Sequence, residues 1–587
     1  MRSQGAVWGA AFGWLMACTS PRDTPGAHRP SATPDPVFIT PDPNDDLAGL
    51  DSLPCARGEA CASHGPFLGD TCCTYGDNLV AITTLAWPDA TEITLDDEHA
   101  VVCTTSGAAF VSTSQFAQEP SPTPFPPDAR CQQAELGPSI PGGRIVWLAH
   151  AGDNTVPNTP RLQTYVLTDD GSAQLVQEVI DTPAFDLSWS GERLAVATAD
   201  VGIQLFTLED DGSLNLDRTV GIDEEVETLA FADSFLYVGT RNATLLTVDL
   251  ADPEAPLLLS EVTLAGRPRL LRAQGNYLAV ALGVTGLQLF DRSLPESPLD
   301  LGVIPLSGSV QDVSLDGPVL AVATWHEALL IDPETTSVIA SQRYASPHSR
   351  TRAVALRDNT LYIADRAGVT QYAFRPGFVT SDLNIAPSSI HFGQHGASRQ
   401  ITLRNRGALN LVLYGVDLPD PAFTTTLTPM VIDAGATLVF ALNHTGTASG
   451  GTLALTSNDP DAASLPLYVS ALPDTVLPDF DSEPAQLLFA TDLSSWTQSR
   501  IILDLEDLDV AASVVHDGAA SSDEFADRLG SDIPVVASAD LADRIAFPDY
   551  GTGPKLAILD ANGRVRALRS HYDPKELTDL VAEVLDD

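Results

Sequence analysis

Five copies of one pattern follow one another between residues 192 and 374. They read "ERLAVATADVGIQLFTL" from Glu192, "SFLYVGTRNATLLTVDL" from Ser234, "NYLAVALGVTGLQLFDR" from Asn276, "PVLAVATWHEALLIDPE" from Pro318 and "NTLYIADRAGVTQYAF" from Asn359. Leu194, Leu236, Leu278, Leu320 and Leu361 hold equivalent places, 42, 42, 42 and 41 residues apart. Each copy is a short apolar run, a small turn and a second apolar run. The runs are too short for helices and rich in Val, Leu, Tyr and Thr, so they read as strands. Weaker copies, "HAVVCTTSGAAFVST" from His99 and "RIVWLAHA" from Arg144, extend the series to about Ala100 and Ile145. That makes seven copies, the longer gaps being loop insertions. A period of this length with several short strands per repeat predicts a β-propeller.

Within a copy the two quoted strands are expected to be the inner pair. The outer pair is then "EVETLAFAD" before the Ser234 copy and "APLLLSEVTLA" after it. "VDLADPEAPLLLSEV" and "LFDRSLPESPLDLGVI" carry Asp-Pro and Pro-Glu-x-Pro turns between strands. Val248-Asp249 with Asp252-Pro253, Phe290-Asp291 and, in part, Leu330-Ile331-Asp332-Pro333 resemble the LVIVD-repeat family of bacterial surface propellers. The resemblance covers about residues 75–376.

The compartment is read from the N-terminus. Met1-Arg2 carries positive charge, and Ala6 to Ala17 is apolar but too short for a permanent membrane span. Leu15-Met16-Ala17-Cys18 resembles the bacterial lipobox, which implies cleavage and lipidation at Cys18. Thr19, rather than Asp, follows it, which by the same resemblance implies the outer membrane. No other segment has 18 uninterrupted apolar residues, so lipid alone would hold the chain, and more than one acyl chain anchors stably. Residues 19–53 are rich in Pro and lack periodicity, as expected of a disordered tether. Beyond Cys18, six cysteines fall within 77 residues: Cys55, Cys61, Cys72, Cys73, Cys103 and Cys131. An even cluster in an exported segment predicts three disulfides with connectivity open. No C-x-x-C is present, which argues against zinc. The 31 basic against 78 acidic residues give a net charge of −47. Such a chain repels phosphate backbones and anionic headgroups, so nucleic acid is not an expected partner. No D-x-D-x-D-G loop marks a Ca²⁺ site.

Between about 380 and 472, apolar positions alternate and turn signals recur every 8–12 residues, as in a β-sandwich. Ile390-His391-Phe392-Gly393, Leu403-Arg404-Asn405-Arg406-Gly407, Ala434-Gly435 and Thr456-Ser457-Asn458-Asp459-Pro460 resemble the ASPM/SPD-2/hydin type of immunoglobulin-like domain. The resemblance implies an adhesive or spacer module, with Asn458-Asp459-Pro460 a turn. From about 478, strands and helices run in β-α-β-α-β-β-α order, which resembles thioredoxin-like domains, with Pro554 at the cis-proline place. The cysteine motif of that family would fall at Thr491–Trp496, where the chain has "TDLSSW". Ser494 and Ser495 cannot exchange disulfides, so a folded, redox-inert module is expected.

The fold class is therefore multidomain and mainly β. A signal segment spans 1–18 and the tether 19–53. A disulfide-containing seven-bladed propeller spans 54–377, an immunoglobulin-like sandwich 378–473 and a thioredoxin-like domain 474–587. No catalytic set is visible. His99, His150, His326 and His348 do not recur at the repeat period, Trp147 and Trp325 read as packing, and Asp169 and Asp210 open hairpin turns. Arg267 and Arg269 precede a first strand; a surface salt bridge is the preferred reading and the channel mouth the alternative. No cofactor or metal is expected. The expected function is non-enzymatic: a lipid-anchored envelope scaffold whose propeller face recognises a protein or polysaccharide. The alternative is a hydrolase or lyase in the channel, which three or more convergent polar side chains with perturbed pKa would favour.

Overall fold

The computed structural model describes residues 74–471 with short interruptions, chiefly 117–130 and 151–160, and beyond them only strand segments up to 569 with Leu505 and Leu577. Cys18, Cys55, Cys61, Cys72, Cys73, Asp169, His348, Ser494, Ser495, Pro554 and the tether lie outside the described residues.

The repeats form antiparallel meanders. The third is representative: Ala184–Trp189, Arg193–Thr198, Gly202–Leu208 and Leu214–Val220 pair in that order. Four-stranded sheets of the same order begin at Cys131–Ile140, Val226–Ala232, Leu270–Gln274 and Val310–Asp316. Ala90–Leu95 begins a three-stranded one. The final sheet begins at Ala353–Arg357, and the early strand Leu79–Leu85 pairs with Val369–Phe374 as its outermost member. Each first strand lies against the next, and Ala353–Arg357 lies against Ala90–Leu95. The sheets thus close a ring, completed by a strand from the opposite end of the sequence. This is a β-propeller.

The quoted strands are the second and third of each sheet, which corrects the inner-pair reading. Ala195, Ala197, Ile203 and Leu205 of the third sheet pack on Val226, Leu229, Leu236 and Val238 of the fourth. Leu194, Val196 and Phe206 face Ile145 and Trp147 of the second. A middle strand covered by sheets on both faces must be apolar throughout. Leu194, Leu236, Leu278, Leu320 and Leu361 do hold equivalent places, but on second strands. Four third strands begin at or just after a glycine of positive φ: Gly107 and Gly202 open theirs, and Gly286 and Gly368 immediately precede theirs. A Cβ on Gly202, Gly286 or Gly368 would run into the carbonyl of Val220, Ile304 or Leu85 on the adjoining strand.

After the ring, one sheet orders Leu383–Ala386, Ser398–Asn405, Thr437–His444 and Phe423–Thr425. A five-stranded sheet contains Ser389–Phe392, Ser464–Ala471, Gly450–Ser457, Leu411–Asp417 and Met430–Ile432. Both contribute to one core around Phe392, Leu403, Phe423, Leu442, Leu453 and Leu467. Asn458 and Asp459 follow the Gly450–Ser457 strand, and their buried side chains tie strands together. Asn458 Oδ1 accepts from Val412 N (2.7 Å) and Asp459 Oδ2 from Leu383 N (2.7 Å). Further on, Gln486–Ala490, Ala512–His516 and Val535–Ala537 run parallel, and the hairpin Lys555–Leu559 with Arg564–Arg569 joins them antiparallel.

Candidate functional site

The centre of the ring carries polar side chains that the sequence reading missed. A β-bulge recurs near the start of the first strand, just before Glu92, Gln133, Asp186, Thr228 and Asp312. The bulge turns the following side chain toward the next sheet. Asp186 Oδ2 accepts from Thr228 Oγ1 (2.6 Å) and Leu229 N (3.0 Å). Thr228 Oγ1 in turn accepts from Leu271 N (2.9 Å), and Asp312 Oδ2 from Val354 N (2.9 Å). Glu92 Oε2 accepts from Ala134 N (2.8 Å). Two residues further along, Glu135 Oε1 accepts from Trp189 N (3.1 Å), Ser188 Oγ from Phe231 N (3.0 Å) and Ser314 Oγ from Leu356 N (3.1 Å). These bonds clasp five of the sheets to the sheet that follows through backbone N–H groups on the open inner edge of its first strand.

Arg272, on the first strand of the fifth sheet, lies among carboxyls from four other sheets. Its Nη2 is 3.9 Å from Glu92 Oε1, and part of its side chain stays open to the channel. Asp186, Asp312, Glu92 and Glu135 together hold its guanidinium above its ordinary range against the opposing effect of burial. Burial pushes the carboxyls upward: Glu92 well above the usual carboxylate range, Glu135 to about 7, and Asp186 above its ordinary value. Arg272 opposes all three shifts without cancelling them. Burial thus disfavours ionisation of Glu92, Glu135 and Asp186 in spite of the guanidinium beside them.

A second cluster joins the ring to the sheets that follow. Arg406 Nη1 and Nη2 donate to Glu327 Oε1 (3.0 Å) and Oε2 (2.8 Å). Its Nε donates to Asp382 Oδ2 (3.1 Å). All three side chains are largely buried. Burial would raise Glu327, but Arg406, Arg343 and His326 hold it below its ordinary value. Glu327 opens the third strand of its sheet, where other sheets carry glycine.

Among the residues singled out from sequence, Arg267 Nη2 is 2.5 Å from Glu227 Oε1, and both side chains are mostly buried. Trp147 and Trp325 are fully buried packing residues. Asp210 sits in the hairpin turn joining Leu208 to Leu214. Cys103 and Cys131 are bonded to each other, with Cα atoms 5.0 Å apart. No cluster of His, Cys, Asp and Glu suited to a metal, and no helix long and apolar enough to cross a membrane, occurs among the described residues.

The missed residues had a signal. Glu92, Asp186, Thr228 and Asp312 each lie eight residues before Ala100, Leu194, Leu236 and Leu320 of the repeat. Arg272 stands six before Leu278, where other copies have Ser188, Ala230, Ser314 and Ala355.

No protein-family model and no curated protein matches this sequence. Among solved structures, similarity extends to Raptor of Chaetomium thermophilum, at 13% identity over 51% of this chain and 29% of that one, TM-score 0.41. The β-propeller domain of Myceliophteria thermophila Cps50 (Swd1) matches at 12% identity over 51% of this chain and all of that domain, TM-score 0.40. The computationally designed Ika8 protein matches at 11% identity, again over 51% of this chain and all of that one, TM-score 0.35.

Proposed function

We propose that the chain is a lipid-anchored protein of the bacterial cell envelope whose propeller is a binding platform for a protein or polysaccharide. In this reading the propeller has seven blades and the LVIVD-type repeat. The two sheets after it are an immunoglobulin-like spacer, and the final sheet belongs to a thioredoxin-like module without redox cysteines. Cys18 carries the lipid, and residues 19–53 lift the folded part from the outer membrane.

One observation carries the non-enzymatic reading. The carboxyls Glu92, Glu135, Asp186 and Asp312 of the channel each accept from a backbone N–H of the next blade, which ties the blades together. A second reading, a channel hydrolase or lyase, is favoured by the convergence of Glu92, Glu135, Asp186 and Arg272, all with shifted pKa, which is the pattern expected of such a site; Glu135, at about 7, suits a general acid or base.

The test uses the full chain in a bacterial host, with photo-crosslinking residues placed on the propeller surface. The platform reading expects a discrete envelope adduct that survives Glu135→Gln, and retention in the membrane fraction that is lost on Cys18→Ala. Loss of the adduct in a folded Glu135→Gln protein would favour the channel. Unchanged membrane retention of Cys18→Ala would remove the anchor.

A further inference from the structure

The chain leaves the ring with little slack. Phe374 ends Val369–Phe374, the last strand of the ring in chain order. The N–H of Arg375 then donates to the Asn78 carbonyl (2.8 Å), and Phe378–Val379 pairs in parallel with Thr74–Tyr75. Thr380 and Asp382 already belong to the two-sheet unit that follows. Their carbonyls accept from Leu409 N (3.2 Å) and Arg406 N (2.8 Å). Ser381 Oγ donates to the Asn458 carbonyl (3.3 Å).

A second attachment lies on a different sheet. Glu327 of the sixth sheet takes both outer nitrogens of Arg406, and Arg406 also reaches Asp382 through Nε and Nη2, at 3.1 Å each. Asp382 stands just before Leu383–Ala386, the first strand of the two-sheet unit. Ring, connecting segment and two-sheet unit thus meet at one largely buried point. Glu327 departs from the repeat, since four other sheets have a glycine at or just before this place. The turn ahead of it departs as well. Trp325 and His326 are buried, whereas Val201 and Asn242, in the corresponding turns of the third and fourth sheets, are exposed.

Units joined within one chain ordinarily move against each other. Here such motion would part a two-pronged guanidinium–carboxylate pair. It would also strip charges of their partners on both sides of a largely buried contact. One chain link permits swinging about itself, and an attachment on another sheet removes that freedom.

We propose that the two-sheet unit is locked onto the sixth sheet through Arg406 and forms one rigid body with the ring, closing the 325–327 end of that sheet to any partner. Whatever binds the propeller then meets ring and two-sheet unit in a single fixed arrangement. The inference does not rest on what the propeller binds, and it holds for a binding platform and a channel enzyme alike.

The test is pulsed electron spin resonance on the full chain, with spin labels on ketone-bearing residues so that the native cysteines stay untouched. One pair spans the junction, Leu175 in the second sheet and Val431 in the two-sheet unit, both about half exposed. A control pair, Leu175 with the exposed Leu299, lies within the ring. The distance distribution across the junction is as narrow as that of the control. It stays so at about 1 M salt, where exposed charges are screened within about 3 Å. Arg406→Met broadens the junction distribution at least about twofold and leaves the control unchanged. A wild-type junction distribution at least about twofold broader than the control, at either salt concentration, overturns the proposal. So does a junction that stays narrow in Arg406→Met. Should that variant fail to fold, its control pair broadens too, and the wild-type comparison with its salt series decides alone.

Discussion

Replacing Glu135 by Gln should stabilise the protein at alkaline pH and leave it unchanged in acid. The carboxyl titrates near 4.5 when unperturbed and at about 7 in the folded protein, because burial outweighs the attraction of Arg272. A group whose folded value is raised contributes its full stability below the unfolded value and loses it as pH rises through the folded one. Glu135 thus favours folding below pH 4.5, and that contribution fades as pH approaches and passes about 7. The difference amounts to about 3 kcal/mol at pH 8, taken as an upper figure. Glutamine cannot ionise, yet keeps the oxygen that accepts from Trp189 N. Urea unfolding of both proteins, followed by tryptophan fluorescence near the Trp147–Trp189 pair, reads the effect as a midpoint shift of about 1 M at pH 8. The midpoints should converge at pH 4.5. A variant that is less stable at pH 8, or a gap that persists into acid, would refute a desolvated Glu135.

Two further substitutions probe the clasps and the junction. Asp186→Ala leaves the Thr228 hydroxyl and the Leu229 N–H buried without their acceptor and should cost about 3 kcal/mol; a loss below about 1 kcal/mol would mean the clasp is not needed for closure. Arg406→Met strands Glu327 and Asp382 as buried carboxylates and should cost about 3–5 kcal/mol. Arg406→Met combined with Glu327→Gln and Asp382→Asn should recover most of it, and failure to recover would place the defect elsewhere.

The propeller was legible because its middle strands are buried on both faces, so the repeat survives as apolar runs at a fixed period. The same physics misdirected the placement within each sheet. The true inner strands carry Glu92, Asp186, Thr228 and Asp312, and their polarity resembles solvent exposure. Only the ring makes those groups buried acceptors. Arg272 is legible as an odd residue at its repeat position, but its partners come from other repeats far along the chain and no local pattern names them. Arg406 belongs to the Leu403-Arg404-Asn405-Arg406-Gly407 motif, and nothing local predicts that it reaches Glu327, 79 residues away. Arg267 does form an ion pair, but a mostly buried one rather than the surface pair expected, because its partner Glu227 lies one repeat upstream on the neighbouring sheet.

The central claim is a closed ring whose inner polar groups hold it shut around Arg272. An experimental structure of the full chain at a resolution that places side chains tests it most directly. The account predicts seven blades, with Asp186 bonded to Leu229 N, Asp312 to Val354 N, and the Arg272 guanidinium between Glu92 and its companions in the channel. Six or eight blades would contradict it. So would a channel in which these carboxyls turn away from the neighbouring backbone to surround a bound ligand.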